Sequence, residues 1–168
     1  MELETARLRL RRWRDDDLPT LARWNADPIV MRHMGHGPMT LEESAAALDR
    51  YRRHWDKHGF GIWAAELIST GELVGRIGLA YHRAWPDDPE LGWLIDPAHL
   101  GRGLATEGGG ASVEYGFGAL SAERLVSICT EENTESRRVM EKLGFRFHEQ
   151  VPFEELGITL WVHALDAR

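Results

Sequence analysis

The sequence is poor in cysteine, in basic relative to acidic residues, and in long apolar runs. Its one cysteine, Cys129, excludes an intramolecular disulfide and is typical of a reducing compartment such as the cytoplasm. Lysine and arginine number 20 against 27 aspartates and glutamates, a net charge of −7, which argues against nucleic-acid binding. No apolar run approaches the ~18 residues of a membrane span, and Met1-Glu2-Leu3-Glu4 does not resemble the start of a signal peptide. We therefore expect a cytoplasmic protein that binds neither membranes nor nucleic acid.

The composition is that of an ordinary globular protein, with 43% hydrophobic and 28% charged residues among 168. A chain of this length buries enough surface to fold without disulfides or metals. The expectation is one domain spanning residues 1–168. Whether it is a monomer or a homodimer stays open at this point.

Hydrophobic periodicity predicts a mixed α/β domain. Helices are predicted after Asp15-Asp16-Asp17 and over residues 41–55, 104–120 and 133–143. Strands are predicted over residues 7–11, 61–67, 73–81, 91–95, 124–130, 145–153 and 158–165. Pro86-Asp87-Asp88-Pro89 predicts a break in the chain before the strand at 91–95.

A glycine-containing turn follows the strand that ends at Asp96-Pro97 and opens into a helix, over Gly101-Arg102-Gly103-Leu104. Glycines let the backbone approach a phosphate, and the first N–H groups of a helix have no partners within it. The turn therefore predicts an anion site, to which Arg102 adds a charge-assisted contact; a plain strand–helix connection is the alternative. A Rossmann site is disfavoured because Thr106 replaces the third glycine, and a P-loop because no Gly-Lys-Ser/Thr follows.

A second segment, Asn133-Thr-Glu-Ser136 to Lys142-Leu-Gly-Phe145, follows a predicted strand and begins a helix. Together with Glu90–Glu107 and Thr5–Arg11, it resembles the GCN5-related N-acetyltransferases (GNAT), specifically the branch of the ribosomal-protein N-terminal acetyltransferases. The resemblance covers nearly the whole chain in the right order. It implies an α/β, single-domain GNAT-like fold, with a mixed, mostly antiparallel sheet flanked by helices and a splayed strand pair for acetyl-CoA.

The resemblance also implies which residues bind acetyl-CoA. The family's pyrophosphate motif, Gln/Arg-x-x-Gly-x-Gly/Ala, falls on Leu100 to Ala105, where leucine replaces the polar first residue. Asn133 matches the family residue that hydrogen-bonds the pantetheine arm of acetyl-CoA. Capping the helix that follows is its other possible role, and the two do not exclude each other. The expected binding residues belong to the splayed strand, the turn and the two helix starts: Trp93, Leu94, Ile95, Leu100, Gly101, Arg102, Gly103, Leu104, Ala105, Thr106 and Asn133.

Acyl transfer to an amine needs a neutral nucleophile, a polarised carbonyl and a proton for the departing thiolate. By position in the family, Glu90 is the base, the Leu94 backbone amide faces the thioester carbonyl, and Ser136 gives the proton. Ser136 is assigned because Met140 occupies the position of the tyrosine that many family members use. The alternatives are a solvated carboxylate for Glu90, a first-turn polar residue for Ser136, and departure of the thiolate without a dedicated acid.

Metal and cysteine chemistry are disfavoured. His33-x-x-His36 and the pair His54 and His58 have spacings that can hold a metal, but neither brings a third ligand. Cys129 lies in a predicted buried strand, where a free cysteine behaves as a small hydrophobe. No metal and no acyl-cysteine intermediate are therefore expected.

The resemblance implies that the acceptor pocket is built from the Asn25–Met39 loop and the Glu154–Gly157 turn. Three functions remain open. The leading one is an acetyl-CoA-dependent N-acetyltransferase acting on a peptide N-terminus. The others are the same chemistry on a small amine, such as a polyamine, amino acid or antibiotic, and a non-catalytic acyl-CoA-binding module.

Overall fold

The computed structural model describes residues 1–82 and 85–167. The described residues form four α-helices: α1 (Leu18–Ala26), α2 (Leu41–His58), α3 (Leu104–Gly118) and α4 (Thr134–Lys142). They also form eight strands: β1 (Leu3–Glu4), β2 (Leu8–Arg11), β3 (Ile62–Leu67), β4 (Leu73–His82), β5 (Trp85–Ile95), β6 (Arg124–Thr130), β7 (Arg146–Phe153) and β8 (Ile158–Asp166).

The eight strands make one sheet in the order β1-β2-β3-β4-β5-β6-β8-β7. The only parallel neighbours among these described strands are β5 and β6; all other pairs are antiparallel. The prediction of an α/β domain with a mixed, mostly antiparallel sheet is confirmed. No helix in the described ranges is both long enough and apolar enough to cross a membrane.

The two faces of the sheet are covered by different helices. On one face, α1 and α2 bury a cluster that includes Leu21, Trp24, Leu48 and Leu94. On the other face, α3 packs so closely that a Cβ on Gly108 would stand 2.5 Å from Cδ1 of Ile77 in β4. The glycines that weaken α3 as an isolated helix therefore allow it to approach the sheet.

Helix α2 begins and ends as the sequence predicts. Thr40 accepts a hydrogen bond from the backbone N–H of Glu43, and the Glu43 carboxylate accepts one from the N–H of Thr40, which completes a capping box. Gly59 ends the helix in the left-handed region at φ 76°.

The predicted break at Pro86–Pro89 is wrong, because β5 runs through it from Trp85 to Ile95. The backbone N–H of Asp96 donates to the carbonyl of Val74 in β4, so from Glu90 to Asp96 the even-numbered residues exchange hydrogen bonds with β4 and the odd-numbered ones face away. The register shifts between Ala80 and His82, and β5 pairs with β4 again at Trp85. Pro89 occupies an odd position. Its missing N–H therefore removes no hydrogen bond between β5 and β4.

Strands β5 and β6 separate almost as soon as they meet. The only registered pair between them is Glu90 with Val126. At the next position the Ser127 hydroxyl donates to the carbonyl oxygen of Leu91 at 2.8 Å. Beyond this bond the strands diverge, as the family resemblance predicts.

Candidate active site

Two adjoining hollows open where β5 and β6 part. The first, which we call the cavity, has a volume of about 450 Å³ and is lined by Arg76, Glu90, Gly92 and Ser127, among others. The second, which we call the groove, has a volume of about 420 Å³ and runs along Ile95, Leu100, Gly103 and Thr106 to α4. Both hollows are lined by His33, Met34, Trp93, Asn133 and Ser136. These five residues therefore mark the junction between the two hollows.

The turn at the groove has the geometry of an anion site. Gly101 and Gly103 adopt φ angles of 74° and 76°, in the left-handed region that favours glycine. The first hydrogen bond of α3 joins the Glu107 N–H to the Gly103 carbonyl. The N–H groups of Leu104, Ala105 and Thr106 therefore have no partner within the helix, and all three residues line the groove.

Buried contacts at the end of β5 hold this turn in place. Asp96 accepts hydrogen bonds from the Trp24 indole N–H at 2.7 Å, the Arg23 guanidinium at 2.7 Å and the Ala98 N–H at 2.9 Å. Burial opposes ionisation of Asp96, but these three donors outweigh it and lower the pKa of the carboxyl.

A second set of contacts anchors the far side of the turn. The Arg7 guanidinium donates to the Arg102 carbonyl at 2.9 Å and to the Glu107 carboxylate at 2.6 Å. Thr5 donates to the other oxygen of Glu107 at 2.6 Å. The N-terminal strand region thus fixes both the turn and the first turn of α3.

The Arg102 side chain does not line the groove. Its guanidinium contacts His99 at 2.7 Å, and His99 in turn contacts the Glu72 carboxylate at 3.1 Å. The Arg102 side chain is therefore directed to His99 and away from the groove, and its contact with a bound anion stays a prediction.

The positive charges on the groove come instead from α4 and from Arg32 in the loop between α1 and α2, which also pairs with Glu135 at 3.0 Å. Arg138 and Lys142 line the groove directly. Sequence reasoning missed both, although their spacing of four residues on the helix that starts at Asn133 places them on one face.

In β5 the backbone N–H and C=O groups of every second residue point toward the opening, and those of the residues between them point toward β4. Because Asp96 bonds to Val74, the register pairs Leu94 with Arg76 by hydrogen bonds and turns the Leu94 N–H toward β4. The prediction that this amide faces the thioester carbonyl is therefore wrong. The N–H groups of Trp93 and Ile95 point toward the opening and are the donors that a ligand in the groove meets.

The first turn of α4 stands across the junction. Asn133 caps the helix, since its side-chain oxygen accepts the Ser136 N–H at 3.1 Å. The cap uses only the amide oxygen, so the amide nitrogen is available as a donor. Ser136 lines both hollows, whereas Met140, one turn further on, is fully buried.

Glu90 lies at the floor of the cavity where β5 and β6 last pair. Burial raises the pKa of this carboxyl to about 7, against the opposing effect of the nearby Arg76 guanidinium. A carboxyl with this pKa exchanges protons readily at neutral pH. Sequence reasoning missed Arg76, whose only signal is a charge within the apolar run of β4.

The loop between α1 and α2 and the turn between β7 and β8 close the cavity. His33, Met34 and His36 line it from the loop, and Leu156 lines it from the turn. A Cβ on Gly35 would stand 2.5 Å from Cδ1 of Leu156, so the two segments touch.

Metal and thiol chemistry find little support in these hollows. In residues 1–82 and 85–167 no three His, Cys, Asp or Glu side chains are grouped to hold a metal ion. His54 contacts the Phe60 carbonyl and the Tyr81 N–H. Cys129 lines the cavity, but burial raises the pKa of its thiol, which disfavours the reactive thiolate.

Comparison with known proteins gives the chain a family context. The family described as "Acetyltransferase (GNAT) domain" matches residues 7–146. The N-acetyltransferase YoaA of Bacillus subtilis, whose printed name calls it uncharacterized, is 31% identical over 145 residues, which cover 86% of this chain and 82% of YoaA.

Two further proteins extend the comparison. The spermidine N(1)-acetyltransferase of Escherichia coli is 26% identical over 147 residues, covering 88% of this chain and 77% of that protein. The crystal structure of an acetyltransferase from Agrobacterium tumefaciens superposes with a TM-score of 0.88 at 29% identity, covering 99% of this chain and 95% of that one.

Proposed function

Because the chain belongs to the GNAT acetyltransferase family, we propose that it transfers an acetyl group from acetyl-CoA to the primary amine of a peptide N-terminus. The amine enters the cavity and attacks the thioester carbon directly at the junction. The C–N bond forms and the C–S bond breaks. The amine proton passes to Glu90, and the sulfur takes the proton of the Ser136 hydroxyl, which is replaced by a proton from solvent water. We also place the enzyme in the cytoplasm, in keeping with its single cysteine.

The groove fits the diphosphate and pantetheine of acetyl-CoA. The two left-handed glycines leave the backbone open: no atom lies within 4 Å of a Cβ on Gly101, and only Arg7 Nη2 at 3.7 Å meets one on Gly103. The free N–H groups of Leu104, Ala105 and Thr106, with Arg138 and Lys142, suit a diphosphate.

The arm that follows the diphosphate is an amide-containing chain that pairs with a strand edge. Trp93 and Ile95 supply backbone donors and acceptors toward the opening, and Asn133 faces them across the junction. We assign the Trp93 N–H as the donor to the thioester carbonyl, in place of Leu94. A fixed donor at that oxygen stabilises the negative charge that develops as the amine attacks.

The observation that carries the proposal is the position of Glu90. It ends the paired part of β5 and β6, lines the cavity, and has a pKa raised by burial to about 7. Ser136 lines both hollows, which supports its assignment as the acid that serves the leaving sulfur. Glu90 lines the cavity alone, which supports its assignment as the base that serves the incoming amine.

The pKa of Glu90 favours a peptide N-terminus over an alkylamine. An α-amino group titrates near pH 8, whereas an alkylammonium such as that of lysine titrates at about 10.4. A base with a pKa of about 7 accepts the proton of the former at a small cost and that of the latter at a much larger one.

A small amine is the second candidate. It is supported by the similarity to spermidine N(1)-acetyltransferase over 88% of this chain. A non-catalytic acyl-CoA-binding protein is a third possibility, and it gains no support from a titratable carboxyl at the cavity floor.

The test is CoA release, measured with acetyl-CoA and three acceptor sets: peptides with free N-termini, the same peptides with blocked N-termini and a lysine, and spermidine. We expect the free N-termini to give the highest kcat/KM. Higher kcat/KM with spermidine would select the second candidate. Acetyl-CoA binding without release for any acceptor would select the third.

A further inference from the structure

Arg76 is a cation in the cavity that makes no ion pair with a carboxylate of the described residues, although Glu90 lies close enough for a longer-range electrostatic attraction. Its Nη2 is 3.7 Å from the sulfur of Met34, and its guanidinium carbon is 5.9 Å from the centre of the Tyr51 ring. Its Nε is buried and has no hydrogen-bond partner. In residues 1–82 and 85–167 no carboxylate lies within 4.0 Å of the guanidinium, so this cation is not neutralised by an ion pair.

Arg76 and Glu90 point to the same side of the sheet. Arg76 pairs with Leu94 across the β4–β5 register, and Glu90 pairs with Ala80. Cross-strand partners and every second residue of a strand share one face, so all four lie on the face that α1 and α2 cover. Both charged side chains line the cavity.

The floor between these two charges carries no side chain. Gly78 and Gly92 are cross-strand partners midway between Arg76 and Glu90. A Cβ on Gly92 would meet only Oε1 of Glu90, at 3.9 Å, within a 4 Å radius. The strand rise places the two levels about 13 Å apart along the sheet, and both side chains reach into that span.

This arrangement has a chemical meaning. An unpaired guanidinium between a thioether and an aromatic ring is costly, and buried polar groups without partners are rare unless a ligand completes them. Its planar donors suit a carboxylate or carbonyl oxygen. The same positive charge repels a second ammonium group of a polyamine.

We infer that Arg76 binds an oxygen of the carboxylate or carbonyl group bonded to the α-carbon of the acceptor amine, so that the acceptor is a peptide N-terminus or a free α-amino acid and not a simple alkylamine or polyamine. This inference rests on the proposed function, because it assumes that the amine is acetylated in the cavity. Arg76 is a specificity-determining residue and takes no part in proton transfer.

The experiment compares leucine, leucinamide and 3-methylbutylamine, which share one side chain but carry a carboxylate, an amide carbonyl or neither, with spermidine as a fourth acceptor. The kcat/KM of each is measured for the wild type, Arg76→Met and Arg76→Lys. Arg12→Met is the control, because Arg12 pairs with Asp56 on the surface and lines neither hollow. Ratios between variants cancel the different pKa values of the amines themselves.

We expect Arg76→Met to lower kcat/KM for leucine or leucinamide by about 10-fold or more, as for loss of a hydrogen bond to a charged group. The kcat/KM for 3-methylbutylamine should change by less than about twofold. Arg76→Lys should lower kcat/KM for leucine or leucinamide less than Arg76→Met does, because an ammonium keeps the charge but lacks the paired donors of the guanidinium. If Arg76→Met loses more activity with leucine than with leucinamide, the acceptor is a free amino acid. If the loss with leucinamide is equal or larger, the acceptor is a peptide N-terminus.

Equal losses for all four acceptors, or a wild type that prefers spermidine, would overturn the inference and leave the acetyltransferase function standing. A wild type that releases no CoA with any amine would instead contradict the proposed function. Thermal unfolding of each variant shows whether a loss of activity comes from misfolding. If Arg76→Met does not fold, the comparison of acceptors is made with Arg76→Lys, which keeps the charge: a loss confined to leucine or leucinamide supports the inference, and equal losses for all four acceptors contradict it.

Discussion

The hydroxyl of Ser127 donates a hydrogen bond to the carbonyl oxygen of Leu91 at 2.8 Å, immediately after the last registered pair of β5 and β6. A side chain thus occupies the place where a backbone N–H of β6 would continue the parallel ladder. The Leu91 carbonyl keeps a partner while the two strands part. This one bond therefore allows the opening between the strands to begin without an orphaned backbone group.

Removal of that hydroxyl should loosen the base of the opening. In Ser127→Ala the buried Leu91 carbonyl loses its partner, which costs about 1–3 kcal/mol of the free energy of unfolding. We also expect a higher KM for acetyl-CoA, because β5 is less well held. Urea unfolding and steady-state kinetics measure the two effects.

Ser112→Ala is the matched control for Ser127→Ala. The Ser112 hydroxyl is also buried and also bonds to a backbone carbonyl, that of Gly108 at 2.9 Å. That carbonyl keeps its helical N–H partner when the hydroxyl is lost. Its variant should lose less stability and keep the wild-type KM; equal effects of the two substitutions would contradict the role of Ser127.

The backbone turn at Gly103 should be essential for acetyl-CoA binding. Gly103→Glu places a negative side chain beside the free N–H groups of α3, so we expect no measurable affinity by calorimetry. Gly71→Glu is the control, since Gly71 has a similar φ of 72°, open space around it and a position outside the groove. Both substitutions cost a similar backbone strain of about 1–2 kcal/mol. Wild-type affinity for acetyl-CoA in a folded Gly103→Glu protein would contradict the assignment of this turn as the acetyl-CoA site.

Local signals were sufficient to predict most of the fold and the turn. The capping box at Thr40, the stop at Gly59 and the Gly101–Gly103 turn are each encoded within a few residues, and the structure has all three. The break expected at Pro86–Pro89 is wrong, and at Pro89 the reason is that a proline is harmless where its nitrogen faces away from the neighbouring strand. That direction depends on the register with β4, which local sequence does not specify.

The same limit explains the differences between prediction and structure at the site. Whether Leu94 or Trp93 turns its N–H to the opening depends on which residues of β5 pair with β4. The Arg102 guanidinium contacts His99, and His99 in turn contacts Glu72 in the turn between β3 and β4, which is distant in sequence. Arg76 reaches the cavity from a neighbouring strand, so no spacing in the chain connects it with Glu90.

Ser136 should act in the transition state only. If its hydroxyl gives a proton to the leaving sulfur, Ser136→Ala lowers kcat by about 10-fold or more and leaves the dissociation constant of acetyl-CoA nearly unchanged. Thr134→Ala, at the start of the same helix but outside both hollows, should keep the wild-type kcat. A near-wild-type kcat in Ser136→Ala would mean that the thiolate leaves without this acid.

Glu90 should govern the pH dependence of the rate. Its raised pKa of about 7 predicts that kcat/KM of the wild type rises through neutral pH as the carboxyl ionises. Glu90→Gln should lose about 10-fold or more near pH 8 and less at pH 10, where the amine is already neutral. A loss that stays constant across this range would contradict a role as base.

The same carboxyl should make the protein less stable at high pH. Because folding raises the pKa of Glu90 from 4.5 to about 7, the folded state binds the proton more tightly. The free energy of unfolding therefore falls as the pH rises across that interval, by up to about 3 kcal/mol. Glu90→Gln should abolish this part of the pH dependence in urea unfolding, and an unchanged slope would show that burial does not perturb Glu90.

The most direct test of the account is to locate the acetyl group after the reaction. The enzyme is incubated with acetyl-CoA and a peptide with a free N-terminus, and peptide and protein are analysed by tandem mass spectrometry. The account predicts stoichiometric CoA release, an acetyl group on the peptide α-amine, and no acetyl group on Cys129 of the wild type, with no product from Gly103→Glu. Acetylated Cys129 that passes its acetyl group to the peptide, or CoA release that is independent of any amine, would contradict direct transfer.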